Sequence, residues 1–183
     1  TLVKDLVDAG SMSKEVINWT QGDVMNQFIS GNIAMMVNGP WQVPTMREQA
    51  PDLNWDVTLL PKDAEYASCL GGENFGVIDG DNVDAALDFL QFATSKDEVA
   101  SYIDDFGYIA ARKDVAEGQF TEDYTIHKFT EEMQYAQPRG PHAQWPEISD
   151  ALSLAVNESI TGTSAPADAA AKAQSTIDGI LAE

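Results

Sequence analysis

The stretch GNIAMMVNGPWQVP, residues 31–44, decides how the rest of the sequence is interpreted. Five apolar residues follow one another at positions 33–37 and are bounded by a glycine on each side, which is typical of a short buried strand. We therefore predict a strand over residues 33–38. The Asn-Gly-Pro break then turns the chain sharply and leaves Trp41 at the tip of the turn.

Amphipathic segments surround this strand. Residues 1–9 have the spacing of a short helix, and a second helix begins at a capping box of Thr20 and Asp23 and ends at Gly31. Further helices are predicted over residues 83–94, 95–106, 121–137, 148–161 and 165–181. Alternating apolar residues predict a strand over 55–59, and another is expected near 75–78. With about seven helices and three or four strands, we predict a helix-rich α/β chain.

Composition and charge limit the kinds of partner. The 183 residues are 44% hydrophobic and 22% charged, as in globular proteins. The formal charge of −20 repels phosphate backbones and anionic lipids, which makes nucleic acid and membrane surfaces unfavourable partners. The longest apolar run, residues 33–37, is too short to cross a bilayer. The chain begins with TLVKDLVDAG, which we interpret as the start of a mature or truncated piece.

Few side chains are suited to covalent chemistry or metal binding. His127 and His142 are the only histidines, and neither lies beside a nucleophile motif, which argues against a hydrolase triad. Cys69 is the single cysteine, so neither an internal disulfide nor a thiolate cluster can form. The acidic residues 79–84 lack the ligand pattern of an EF-hand, and a helix cap at Asn82 explains them better. We therefore expect no catalytic residue, no metal and no cofactor.

The tryptophans are more informative. Trp41 and Trp145 both lie in or beside a Gly/Pro break at the start of a helix. A flat aromatic face suits the apolar C–H face of a sugar ring, and nearby amide, carboxylate and guanidinium groups suit its hydroxyls. The two side chains could instead fill gaps in the core. The residues alone leave these two interpretations equal.

Several segments, in this order and spacing, resemble a known family. They are FISGNIAMMVNGPW, WDVTLLP, LGGENFGV, AALDFLQFATSKDEVASYIDDFGYIAARKDV and PHAQWPEISDALSLAV. The chain is similar to extracellular solute-binding proteins of ABC importers, in the sugar-binding (family 1) group that includes maltose-binding protein. The resemblance runs nearly from end to end of this chain and covers the carboxy-terminal portion of such proteins. It implies a periplasmic-binding-protein-like (type II) α/β fold, of which this chain is the carboxy-terminal part of a two-lobed structure.

The resemblance also implies a sugar cleft. Trp41 and Trp145 become candidates for stacking on sugar rings, and Arg139 becomes a candidate donor to sugar hydroxyls. Arg112, in IAARKDV, occupies a motif position that is as consistent with a structural role. The residues expected to line the cleft are Gly71, Gly72, Glu73 and Asn74.

The family's lobes are joined by chain crossings. By resemblance, residues 1–60 and 119–183 belong to the carboxy-terminal lobe, and residues 61–118 belong to the amino-terminal lobe. The family's amino-terminal half, which supplies most of the first lobe's sheet, is missing from this sequence.

The implied mechanism is ligand binding by hinge closure, followed by delivery to the permease subunits of an ABC transporter. The implied location is outside the cell membrane, either as a cell-surface lipoprotein or in the periplasm. Two alternatives stay open. The chain could be a fragment of a secreted carbohydrate-active enzyme, or a fold fragment that binds nothing and exposes apolar surface.

Overall fold

The computed structural model describes residues 1–182, and helices dominate this region. The strands are β1 (Ser68–Leu70) and β2 (Ala136–Pro138), and short 3-10 turns cover Lys14–Asn18, Pro40–Gln42 and Met133–Tyr135. The helices are α1 (Leu2–Asp8), α2 (Gln21–Ile29), α3 (Val43–Gln49), α4 (Val83–Ala93), α5 (Lys96–Tyr102), α6 (Lys113–Ala116), α7 (Tyr124–Glu132), α8 (Trp145–Thr161) and α9 (Pro166–Leu181). The predicted helix-rich α/β class is confirmed. None of the described helices is long and apolar enough to span a bilayer.

The described chain divides into two units. One unit is continuous, Met25–Arg139, and the other combines Thr1–Val24 with the chain from Gly140 to the end of the described region. The predicted division into lobe segments 1–60, 61–118 and 119–183 follows different boundaries and stays a prediction.

The discontinuous unit is built on a helical hairpin. Helix α8 packs against α9, and α1 also contacts α8. Ala169 and Ala173 are buried on α9, and their small side chains allow the two helix axes to approach closely. Gly162 ends α8 in the left-handed conformation, with φ of 78°, as a glycine at this position commonly does. The apolar stripe predicted for α8 is only partly buried, because Leu152 and Val156 are each 48% exposed.

The continuous unit has its core around Val99, Ala110 and Val115. Helix α3 buries Val43 and Met46. An ion pair fixes this helix to the start of α7: Arg47 donates to both carboxylate oxygens of Asp123, at 2.7 and 2.9 Å. Asp123 is also the N-cap of α7 and accepts from the backbone of Ile126. The bidentate pair therefore joins two helices that are far apart in the sequence.

The capping predictions have different outcomes. Thr20 and Asp23 form the predicted capping box: each backbone N–H donates to the other residue's side chain, at 2.8 and 3.2 Å. The hydroxyl of Thr20 also donates to the carboxylate of Asp23, at 2.7 Å, and this hydrogen bond, together with the one from the Thr20 backbone, lowers the pKa of Asp23 below its ordinary value. Asn82 is the N-cap of α4, as predicted, but its side chain makes no capping hydrogen bond.

The strand predictions are wrong at 33–38, 55–59 and 75–78. None of these segments is paired in the part of the chain that the structure describes, and Met35 and Ile78 are 86% and 91% exposed. A strand requires hydrogen bonds from a neighbouring strand, and an apolar run does not supply them. At 55–59 the alternation itself is correct, because Trp55, Val57 and Leu59 are half-buried and the residues between them are exposed.

The helix predicted over 121–137 is also shorter than expected. It forms α7 and a 3-10 turn, and residues 136–138 then enter the sheet as β2. Strands β1 and β2 are parallel, with Ser68 opposite Ala136 and Leu70 opposite Pro138. The chain before Pro138 is biased away from helix, which explains the early end.

The ion pair of Arg47 with Asp123 predicts a pH-dependent stability. Hydrogen bonding from Arg47 lowers the pKa of Asp123, so the stabilisation is present above the ordinary aspartate pKa and is lost as the pH falls through the folded-state pKa. Asp123→Asn keeps a capping side chain on α7 but removes the charge. For this partly exposed pair we expect a loss of about 0.5–1 kcal/mol in the free energy of unfolding at neutral pH.

Urea unfolding of the two proteins at a series of pH values measures this effect. The difference between them should be constant above about pH 5 and should shrink as the pH is lowered below about 4. Asp52→Asn, at an exposed position, is the control and should differ little from the parent at any pH. A difference for Asp123→Asn that does not change with pH would contradict the assignment.

Candidate ligand-binding site

Trp41 lies in a tight turn that leads into α3. The side-chain oxygen of Asn38 accepts from the N–H of Gly39, at 3.0 Å, and Gln42 donates back to the carbonyl of Gly39. Pro40 occupies the first position of the 3-10 turn, where its missing N–H costs nothing. Trp41 is half-buried. The predicted turn is therefore confirmed, although the strand that was expected to lead into it is not.

The indole of Trp41 covers the α-carbon of Gly39. A β-carbon on Gly39 would overlap the six-membered ring of the indole. The φ of Gly39 is −112°, which any residue can adopt, so the ring alone excludes a side chain here. Glycine at this position is therefore what allows Trp41 to take its orientation.

Trp41 is the first of a row of aromatic rings. Its ring centroid lies 6.0 Å from that of Tyr108, with an interplanar angle of 43°. Tyr108 in turn lies 6.4 Å from Phe106, and Phe106 lies 6.1 Å from Tyr102 in an edge-on arrangement. These separations are those of interacting aromatic pairs.

Sequence reasoning missed this row. A helix is predicted over residues 95–106, but α5 ends at Tyr102 and Phe106 is 57% exposed. The detectable signal is Tyr108 in YIDDFGY, residues 102–108: it follows Phe106 by two positions, so a continuous helix would place it away from the face shared by Tyr102 and Phe106.

Two features fix the segment that carries Tyr108. Gly107 has a φ of 66°, and a β-carbon there would lie 2.9 Å from Cδ of Pro44 and 3.0 Å from the carbonyl oxygen of Pro40. Both the backbone conformation and the lack of space therefore require glycine. The segment is thereby seated directly against the turn that carries Trp41.

The second feature is the buried side chain of Gln119. Its oxygen accepts from the N–H of Ala110 at 2.7 Å. Its amide nitrogen donates to the carboxylate of Asp104 at 2.6 Å and to the carbonyl of Tyr108 at 3.2 Å. One amide thus spans the segment from Asp104 to Ala110 and satisfies two backbone groups.

Two segments that carry predicted site residues, one beginning at Gly71 and one at Arg139, lie at the same end of the small sheet. Because Leu70 is opposite Pro138 in the parallel pair, Gly71 and Arg139 follow the carboxyl ends of neighbouring strands. Ligands commonly bind outside the carboxyl ends of parallel strands. Gly71 and Gly72 have no neighbouring atom within reach of an added β-carbon, so the backbone here is open to close approach.

The polar residues beside this end of the sheet are accessible. Glu73, Asn74 and Arg139 are all exposed, and no hydrogen bond or ion pair engages their side chains among the described residues. They are therefore available to a ligand. Arg112 is different, because it pairs with Asp114 at 2.9 Å and donates to the carbonyl of Thr94 at 3.2 Å. These contacts join the start of α6 to the end of α4.

Trp145 is in the discontinuous unit. It is half-buried at the first position of α8, and its backbone N–H donates to the backbone carbonyl of His142 at 3.0 Å. The structure thus brings together Gly71 with Arg139, and Trp41 with Tyr108, within one unit. Trp145 belongs to the other unit, so its contacts are given only with residues of that unit.

The described residues give little support for a metal site or for a ligand site elsewhere. No group of three or more His, Cys, Asp or Glu side chains there is arranged to hold a metal ion. An open depression of about 570 Å³ lies beside Arg47 and Asp123, but these two charges already engage each other. None of the predicted site residues lines it.

Comparison with known proteins identifies relatives. The family described as bacterial extracellular solute-binding protein matches residues 1–130. A protein of Brucella abortus (strain 2308), whose name describes a candidate binding protein, is 28% identical over 180 residues. The match covers 94% of this chain and 44% of the relative. A protein of Brucella suis biovar 1 (strain 1330), with a name of the same kind, matches with the same figures. The chain spans less than half the length of the curated relatives it matches.

The contact of Trp41 with Gly39 predicts a local effect of substitution. Gly39→Ala should displace the indole and lower the free energy of unfolding by about 1–3 kcal/mol, because the new methyl group overpacks the turn. Gly179→Ala is the matched control. It lies inside α9 with open space around it, so the same change should stabilise by about 0.5–1 kcal/mol.

Denaturant unfolding measures the two stability changes. Fluorine NMR of protein labelled with 5-fluorotryptophan measures the displacement, since each tryptophan gives its own resonance. The Trp41 resonance should move in Gly39→Ala, and those of Trp19, Trp55 and Trp145 should stay. An unmoved Trp41 resonance together with unchanged stability would show that the ring does not rest on Gly39.

Proposed function

The chain belongs to the bacterial extracellular solute-binding proteins, and we propose that its solute is a sugar or oligosaccharide, which the protein delivers to the permease of an ABC transporter. Proteins of this family act outside the cytoplasmic membrane, in the periplasm or at the cell surface. As a class they bind solutes and are in general not enzymes. Anchoring as a lipoprotein belongs to the proposal.

The observation that carries the proposal is the seating of Trp41. Its indole rests on Gly39 and contacts Tyr108, while part of the side chain stays accessible to solvent. A ring held by its neighbours loses little conformational entropy when a ligand stacks on it. Sugar rings have apolar C–H faces that pack on such surfaces.

The polar groups at the ends of β1 and β2 complement this aromatic surface. Glu73 can accept hydrogen bonds from sugar hydroxyls, Asn74 can accept and donate, and Arg139 can donate several. Hydrogen bonds to charged groups are the stronger ones, and they give the orientation that stacking lacks. Gly71 and Gly72 would let the ligand approach the backbone between these groups.

Ligand capture is proposed to work by closure of two lobes. In this scheme residues 61–118 belong to one lobe and residues 1–60 with 119–183 to the other, so the packed contact of Tyr108 with Trp41 lies at the junction of the lobes and stays in place as they close. Trp41 and Trp145 both belong to the second lobe and are each a candidate stacking surface, and the closed form is the one that the permease recognises. The scheme requires no covalent step, no metal and no cofactor.

Substitution of the two tryptophans tests the proposal. In the protein at its full natural length, Trp41→Ala and Trp145→Ala should each weaken sugar binding by about tenfold, because each removes one stacking surface. Trp19→Ala is the control and should leave the affinity unchanged. Calorimetric titration with glucose, maltose, cellobiose and xylobiose provides the measurement.

Unchanged affinity in both Trp41→Ala and Trp145→Ala would overturn the assignment of the site. A reducing-sugar assay on the same sugars separates binding from catalysis. Release of new reducing ends would support a carbohydrate-active enzyme instead. Absence of binding to every sugar tested would overturn the choice of sugar as the solute.

A further inference from the structure

The side chain of Phe106 lies outside the hydrophobic core of its unit. Its side chain is 57% exposed, although burial of a phenylalanine stabilises a fold by about 1.5–3 kcal/mol. It lies in the turn that follows α5, between Asp105 and Gly107. Its ring contacts within the chain are with Tyr108 and Tyr102. Most of the aromatic surface therefore faces solvent beside the tyrosine that contacts Trp41.

The turn that carries Phe106 is fixed on both sides. Gln119 bonds to Asp104 before it and to Tyr108 and Ala110 after it. Gly107, the next residue, is held against Pro40 and Pro44 without room for a β-carbon. An exposed aromatic side chain on a flexible loop would lose entropy on binding a ligand, whereas this one is anchored in advance.

The three rings form a continuous sequence of contacts. The steps from Trp41 to Tyr108 and from Tyr108 to Phe106 are nearly equal, at 6.0 and 6.4 Å. Polar residues flank the outer ring, since Asp104 and Asp105 are both exposed, although the carboxylate of Asp104 already accepts from Gln119. Successive rings are tilted by 43° and 40°. A series of partly exposed aromatic rings with acceptors at its edge suits a linear chain of sugar rings, whose apolar faces recur along its length and whose hydroxyls project sideways.

We propose that Phe106 forms a second carbohydrate subsite beside Trp41 and Tyr108, so that the site prefers a linear oligosaccharide to a single sugar. The inference rests on the proposed function and adds to it a residue that determines ligand length. Trp41 supplies the first stacking surface, and Phe106 supplies the one that only a second or third sugar ring can reach. Asp105 accepts hydroxyl hydrogen bonds from that further ring.

Length-dependent affinity tests the inference. Calorimetric titrations would use glucose, maltose and maltotriose, then glucose, cellobiose and cellotriose, on the protein at its full natural length. The parent protein should bind the better trisaccharide at least about tenfold more tightly than glucose. Phe106→Ala should reduce that ratio to about two- or threefold and leave the affinity for glucose unchanged. Trp41→Ala should weaken all members of the series.

Phe89→Ala is the matched control. Phe89, on α4, is 60% exposed, so its removal changes the apolar surface by a similar amount away from the aromatic row. The trisaccharide-to-glucose ratio should stay that of the parent. If Phe106→Ala folds poorly, Phe106→Leu takes its place. It keeps an apolar side chain without an aromatic face, and it should show the same loss of the trisaccharide-to-glucose ratio.

The outcomes separate the inference from the proposed function. If sugars bind but the parent does not prefer the longer ones, or if Phe106→Ala keeps the parent's ratio, the Phe106 subsite is overturned and sugar binding stands. Equal losses in Phe89→Ala and Phe106→Ala would mean a general effect of apolar surface and would also overturn it. If no sugar of either series binds, the proposed function falls, and the subsite falls with it.

Discussion

The side-chain amide of Gln119 makes three hydrogen bonds within the segment from Asp104 to Ala110. A buried amide that lacked these partners would destabilise the fold, as would the backbone groups of Tyr108 and Ala110 left without theirs. The arrangement therefore tolerates little displacement. Because Gly107 is at the same time seated against Pro40 and Pro44, this network fixes the aromatic segment to the turn that holds Trp41. The candidate site depends on that contact more than on any regular strand.

Features that depend on neighbouring residues could be predicted from the sequence, and features that depend on residues far along the chain could not. The seven predicted helices each correspond to an observed one, because amphipathic spacing and caps such as Thr20 with Asp23 act within a few residues, whereas the short helix α6 was not predicted. The strands at 33–38 and 75–78 were wrong because pairing depends on partners elsewhere in the chain. At 55–59 the burial pattern was right and the secondary structure was not. Alternation reports which side chains are buried, while a ladder of hydrogen bonds defines a strand.

The site shows the same limit. Trp41 was identifiable because its Gly-Pro turn is a local signal, and the residues near Gly71 and Arg139 came from family resemblance. The contact of Trp41 with Tyr108 could not be predicted, because the two residues are far apart in the sequence and the joining element is an irregular turn. The register that brings Gly71 beside Arg139 likewise exists only in the folded chain.

The register of the small sheet has one more consequence. Its last pair joins Leu70 to Pro138, and a proline has no backbone N–H to offer a neighbouring strand. The ladder of hydrogen bonds between the strands therefore ends at this residue, and the residues after it are not paired with a neighbouring strand. Arg139 and the glycines after Leu70 keep their backbone groups unsatisfied by the sheet and open to solvent. A single missing hydrogen atom thus marks the boundary between the paired part of the chain and the exposed residues that we propose contact a ligand.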